Sequence, residues 1–189
     1  MGKIKIVLDA DVVIDFKDAN RLAELPRILP GYDFVILDIV LNKELGKWRS
    51  TKDYILRLIE WIKTGPTLSI IPWQPDRETL RIYAELRRTK DMGESACMAY
   101  CQTHNDVLAS CNLKDTREYC ESNGITYVTF LDLVWYAWRN GVMTEEECNS
   151  CIQDAISAGN KVPNIPITQH IPTISNLEKE VHRSAPLRQ

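Results

Sequence analysis

The chain has 189 residues, of which 44% are hydrophobic and 26% charged, with a formal net charge of −3. Those totals fit one globular unit with a core large enough to need no covalent staples, and no apolar run approaches the ~20 residues that span a bilayer. A negative net charge argues against a generally sticky nucleic-acid binder.

Met1-Gly2-Lys3-Ile4-Lys5 leads straight into an apolar run, so no cleaved signal peptide is expected and the protein reads as cytoplasmic. A buried strand is predicted over residues 4–8, and it stops on Asp9-Ala10-Asp11. Carboxylates at that point lie on the carboxyl edge of a sheet, where open α/β folds place their ligands. Residues 18–29 carry a short helical pattern ending at Pro30-Gly31, and 34–37 read as a second strand. Asp38 then opens a helical stretch in which Ile39, Val40 and Leu41 precede Glu44. The spacing of Tyr54, Ile55, Leu58, Ile59 and Ile62 predicts an amphipathic helix over 51–63, stopped by Gly65-Pro66.

A third strand is predicted over 68–71 and a helix over 77–88, with Leu80, Tyr83, Ala84 and Leu86 on its apolar side. Asp91-Met92-Gly93-Glu94 leads into a helix of small residues, Ser95 to Cys101, that can lie close to a sheet. Residues 106–110 form a strand, 113–122 a helix stopped by Asn123-Gly124, and 125–128 a last short strand. Helices follow over 131–139 and 145–157, the second with Thr144 and Glu147 as a capping box. Strands alternating with helices predict an α/β fold of three layers, α/β/α, around a mostly parallel sheet. That domain is assigned to residues 1–159. Residues 160–189, with Pro163, Pro166 and Pro172 among polar neighbours, read as an extended C-terminal arm or partly disordered tail.

The six cysteines, 97, 101, 111, 120, 148 and 151, are expected to be reduced and mostly buried. Cys97, Cys101 and His104 share one helix face, which reads as core rather than as a zinc site. Cys148 and Cys151 lack the second pair that a zinc knuckle needs. Trp135, Tyr136 and Trp138 fall in one late helix, and Trp48 and Trp73 near the acidic segments. Exposed aromatics can stack bases, but this spacing more often marks core or a dimer seam.

The chemistry lies in the acids. Asp9, Glu44 and Glu94 each adjoin an apolar segment able to bring them to one rim. Three carboxylates together raise one another's pKa and call for a cation. A hard ion such as Mg²⁺ suits an all-oxygen site, so a metal-dependent active site is the leading reading. Arg87, Arg88 and Lys90 before Asp91, and Lys43 and Lys47 around Glu44, are candidate contacts for substrate phosphates.

The layout of strand–Asp9, Glu44 in a helix after strand two, Asp91-x-Gly93-Glu94 opening a helix, and strand–Ser110-Cys111-Asn112 resembles the PIN-domain nucleases. It covers about residues 3–142 and is closest in feel to prokaryotic members, including toxins of toxin–antitoxin pairs. The resemblance implies a metal-dependent endoribonuclease that cuts single-stranded RNA through a Mg²⁺ or Mn²⁺ centre, with Asp9, Glu44 and Glu94 catalytic. It makes Asp9 and Glu94 metal ligands, with Asp11, Asp91 and Asn112 at the metal and Ser110 and Asp115 as accessories. It also implies a homodimer and, for a toxin, an antitoxin protein as partner.

At its fourth acidic position the family usually carries Asp, and here stands Asn112, which keeps a carbonyl oxygen but loses a charge. That departure weakens a two-metal site and leaves a second reading open: a catalytically degenerate PIN-like binding or scaffold module. A third is a haloacid-dehalogenase-type phosphatase, matched by four apolar residues followed by Asp9-Ala10-Asp11. Against it, Val12-Val13-Ile14 stands where that family turns.

Overall fold

Ile6, Val7 and Leu8 have no exposure at all, the condition of a strand covered on both faces of a sheet. The computed structural model describes residues 3–47, 49–62 and 68–177, with residues 113–115 described in backbone only. In chain order the elements are β1 (Lys5–Leu8), α1 (Ala10–Asp18), α2 (Leu25–Ile28), β2 (Asp33–Leu37), α3 (Asp38–Lys43) and α4 (Arg49–Trp61). They continue as β3 (Leu68–Ile71), α5 (Arg77–Leu86), α6 (Met92–His104), β4 (Val107–Ala109), α7 (Leu113–Asn123), β5 (Tyr127–Val128), α8 (Phe130–Arg139) and α9 (Glu145–Ser157).

The five strands form one sheet in the order β3-β2-β1-β4-β5, and every neighbouring pair is parallel. Helices on both faces complete the three-layer α/β/α arrangement that the alternation of elements predicts. α5 and α6 pack together, with α6 against β1, β2 and β4, while α1, α2, α8 and α9 associate in the other layer. The chain winds outward from β1 through β2 and β3, then crosses back to lay β4 on the other side of β1. The order reverses between β1 and β4, which is where such sheets open a crevice at their carboxyl ends.

Three local expectations need correction. The single helix predicted over 18–29 is a 3-10 turn at Leu22–Glu24 followed by the one turn of α2, and α1, Ala10–Asp18, is a helix outside the predicted elements. Val12, Val13 and Ile14 are poor helix formers by a few tenths of a kcal/mol each. Burial of Val12, Val13 and Phe16, with Asp9 as the N-cap, overrides that preference. In α5 the buried stripe is Thr79, Ile82 and Leu86, while Leu80 is 51% exposed. Thr79 tolerates full burial because its hydroxyl bonds to that of Thr103 at 2.9 Å. The helix predicted to run to residue 63 ends at Trp61, with Lys63 outside the described residues.

Gly124 stops α7 in the left-handed conformation, φ +67°, that favours glycine at this position. Thr144 and Glu147 form the expected capping box, and Thr129 and Asp132 form a second at the start of α8. Cys97, Cys101, Cys120, Cys148 and Cys151 are free and buried, and Cys111 is free and half-buried. On the Cys97–Cys101 face, His104 is exposed and stacks on Tyr100 with centroids 4.0 Å apart.

Residues 160–177 run as an arm over α8 and α9. Ile167 is fully buried, its N–H donates to Asn149 Oδ1 at 2.9 Å, and the Tyr136 hydroxyl donates to the Ile174 carbonyl. The remainder of the predicted tail, 178–189, lies outside the described residues, and among those described no helix is long and apolar enough to cross a membrane.

Candidate active site

β1 and β4 stay paired to their last residues, and that sets the geometry of the site. The Asp9 N–H donates to Ala109 O at 2.9 Å, and the Ser110 N–H to Val128 O at 3.1 Å. Asp9 and the Ser110–Asn112 turn therefore leave the sheet side by side at the switch point. Asp9 is only 5% exposed, with Oδ1 accepting the Ala10 N–H at 2.8 Å and Oδ2 the Ser110 hydroxyl at 3.3 Å. Asp11, in the first turn of α1, accepts the N–H groups of Val12 at 2.6 Å and Cys111 at 2.8 Å.

The two glutamates arrive from the other layer. Glu44 is the residue that ends α3, which packs on α6, and its Oε1 accepts the Gly93 N–H at 2.6 Å. Glycine is required at that contact: a Cβ on residue 93 would lie 2.5 Å from Glu44 Cδ and Oε1. Glu94, in the first turn of α6, is buried. Its Oε1 accepts from Thr116 Oγ1 at 3.0 Å and Asn112 Nδ2 at 3.2 Å, and lies 3.7 Å from Lys90 Nζ.

Asp9, Asp11 and Glu44 each feel neighbouring carboxylates. Burial pushes the Asp9 pKa well above the usual carboxylate range, and the charges of Asp11, Glu44 and Glu94 add to it against the Ala10 hydrogen bond. Asp11 is raised by burial and by Glu94, although N–H groups of Cys111, Val12 and Asn112 oppose the shift. Glu44 is raised by burial, with Asp91 and Glu94 adding and the Gly93 N–H and Lys47 opposing. The rim thus crowds carboxyl groups in a partly dry place, where burial disfavours their charged forms and a bound cation would restore them.

The remaining candidates are arranged around that group. Asp91 is exposed at the N-cap of α6, close enough to act on Glu44. Ser110 and Asn112 line the rim, Asn112 through its amide donor. The side chain of Asp115 and all of Trp48 lie outside the described residues. Lys43, Lys47 and Arg88 are exposed; Arg87 turns its guanidinium onto the Lys90 carbonyl, and Lys90 turns inward to Glu94. Trp73 packs on Tyr83 with centroids 5.3 Å apart, and its backbone N–H donates to Asp38 Oδ1. Arg139 lies over both Trp135 and Trp138, 5.7 Å from each ring.

Sequence reasoning names Gly93 and Cys111 only as motif positions, without their roles, and misses Thr116. Gly93 makes room for Glu44, the Cys111 N–H fixes Asp11, and Thr116 holds Glu94. Thr116 follows Asn112 by four residues, a helical spacing that places both on one side of the first turn of α7. Asp15 is buried in α1, its pKa pushed up to about 7 by burial, and it accepts the Cys111 thiol at 3.4 Å.

The rim offers carboxylate and hydroxyl oxygens, the donor type that suits a hard cation, together with the Asn112 amide and the Lys90 ammonium, both turned onto Glu94. Among the described residues, no group of three or more His, Cys, Asp or Glu side chains is set to hold a metal ion. An ion such as Mg²⁺ keeps several waters and can be held by only one or two carboxylates directly, so it asks less of the protein than such a group would supply. A cleft of about 480 Å³ opens elsewhere, between α7, β5 and the arm, lined by Arg117, Tyr127, Ile171 and Thr173 among others and by none of the rim acids. No model of a known protein family matches the chain, and no curated protein matches it either.

Proposed function

We propose that the acidic rim is the active site of a PIN-like, metal-dependent endoribonuclease that hydrolyses phosphodiester bonds of single-stranded RNA. The observation that carries this reading is the run of hydrogen bonds at the switch point that links Asp9 to Ser110, Ser110 to Asn112 and Asn112 to Glu94, with Asp11 held by the Cys111 N–H and Glu44 by the Gly93 N–H beside it. Asp9 and Glu94 would hold a Mg²⁺ or Mn²⁺ ion, with Asp11, Asp91 and the Asn112 carbonyl around it. Bound there, the ion lowers the pKa of a water molecule and offsets charge developing on the phosphate.

The chain's own groups supply the rest. Glu44, half-buried with its proton affinity raised, is suited to accept a proton from the attacking water. Ser110 Oγ and the Ala10 N–H hold Asp9 by both oxygens, so its orientation does not depend on substrate. Lys43, Lys47 and Arg88 would grip flanking phosphates by position, without reading sequence. A cytoplasmic toxin, working as a homodimer and held in check by an antitoxin, is the setting the resemblance suggests.

Asn112 favours a second reading, a PIN-like binding module, because its amide donates to Glu94 where the family supplies another anion. The phosphatase alternative has less support. Both Asp11 oxygens accept backbone N–H groups, so Asp11 is poorly placed to donate a proton to a leaving group. The test is cleavage of a labelled single-stranded RNA in Mn²⁺, Mg²⁺ or EDTA by the wild type, Asp9→Asn and Glu94→Gln. Metal-dependent cutting lost in both variants supports the nuclease. RNA binding without cutting supports the module.

A further inference from the structure

Lys90 precedes Glu94 by four residues, in the loop that joins α5 to α6. Its N–H donates to Leu86 O at 3.0 Å and its carbonyl accepts the Arg87 guanidinium, so its backbone is held at both ends. The side chain is only 9% exposed, and Glu94, its partner, is 10% exposed. Lysine is almost never buried to that degree unless it is paired. Its ammonium reaches the same oxygen, Glu94 Oε1, that Asn112 and Thr116 already hold. All three donors thus gather on one side of Glu94.

Two-ion phosphodiester sites hold their cations roughly 3.5–4 Å apart, with carboxylates shared between them. An ammonium 3.7 Å from Glu94 Oε1 lies where a divalent ion shared through that oxygen would be repelled. Asn112 removes a negative charge on the same side, so a second cation would find both a positive neighbour and one ligand too few.

We propose that Lys90 is a built-in counter-cation, standing in place of a second metal ion, so that the rim takes up one divalent cation. This rests on the rim being a metal site, as proposed above. It changes the role of Lys90 from a phosphate contact to a positioning residue that fixes Glu94 and sets metal stoichiometry.

Mn²⁺ titration by calorimetry, paired with metal-free melting curves, tests it on the full chain. The variants are Lys90→Met, Lys90→Arg, Glu94→Gln and the Lys90→Met/Glu94→Gln double variant. The wild type and Lys90→Arg should bind one Mn²⁺. Lys90→Met should bind a second ion, giving two Mn²⁺ per chain. Without metal, Lys90→Met should melt lower than wild type, and the loss should be much smaller when Glu94→Gln is already present. Two ions on the wild type, or a folded Lys90→Met that still binds a single Mn²⁺, would overturn the proposal. If no protein takes up Mn²⁺, the metal reading fails and the one-ion claim with it. The melting cycle then decides separately whether Lys90 balances the charge of Glu94.

Discussion

Replacing Gly93 by alanine would put a methyl carbon 2.5 Å from Glu44 Cδ and Oε1 and 2.6 Å from Oε2, closer than a side chain can be. Glu44 must swing away and give up the N–H it accepts at 2.6 Å. A hydrogen bond to a charged group contributes about 1.5–3 kcal/mol, while alanine gains at most ~1 kcal/mol over glycine within a helix. The net loss should be about 0.5–2 kcal/mol. For a chain of this size, that lowers the melting temperature by roughly 2–4 °C per kcal/mol. Glu44 is the end of a flexible chain, so no core movement is needed. The expected signature is therefore a mild loss of stability in urea with a loss of at least about tenfold in metal-dependent RNA cleavage. Displaced toward water, Glu44 should also return toward an ordinary carboxylate pKa in a ¹³C titration. A folded Gly93→Ala protein that cuts RNA at the wild-type rate would refute the role given to the Gly93–Glu44 contact.

Asp15 tests the electrostatics away from the rim. Its folded pKa of about 7 stands above the unfolded value of 3.8, so the unfolded chain binds fewer protons and stability falls as pH rises between those values. The loss is up to ~4 kcal/mol, so Asp15→Asn should be more stable than wild type at pH 8 and lose that advantage below pH ~4 in urea titrations. His170→Ala should loosen the arm, because His170 Nε2 and the Thr173 N–H both meet Asp132 Oδ1, at 2.8 and 2.9 Å. Burial alone would raise the pKa of Asp132, but these bonds hold it below its usual value. A loss of about 1–2 kcal/mol, with faster amide exchange at Thr173, is expected; unchanged exchange would rule out the latch. Asn112→Asp places a second carboxylate against Glu94, so it should destabilise the metal-free protein and tighten Mn²⁺ binding. Calorimetry and melting curves read both effects.

The strands were legible because Ile6, Val7 and Leu8, and likewise Phe34 to Leu37, are unbroken apolar runs that end where the sheet ends. Asp9 was legible for the same reason: a carboxylate closing such a run has few other positions to occupy. α1 was not, since Val12, Val13 and Ile14 argue locally for an extended chain and only packing between layers makes them helical. Thr79 and Leu80 exchanged places because a threonine's polarity says nothing about whether a second threonine, Thr103, waits to pair with it. The contact of Gly93 with Glu44 joins residues 49 apart in sequence. Its only local trace is a glycine in the first turn of a helix. Lys90 reads on the page as one more surface cation beside Arg87 and Arg88, and its burial appears only once α6 and α7 are assembled.

The most direct test of the acidic rim is paramagnetic broadening of amide NMR signals on titration of the metal-free protein with Mn²⁺. Signals of Ala10, Asp11, Gly93, Glu94 and Cys111 should broaden first, leaving Gly124–Tyr127 and Thr173 sharp, and Asp9→Asn should abolish the effect. Broadening centred on another part of the molecule, or broadening that Asp9→Asn leaves intact, would contradict the assignment of the rim as the metal centre.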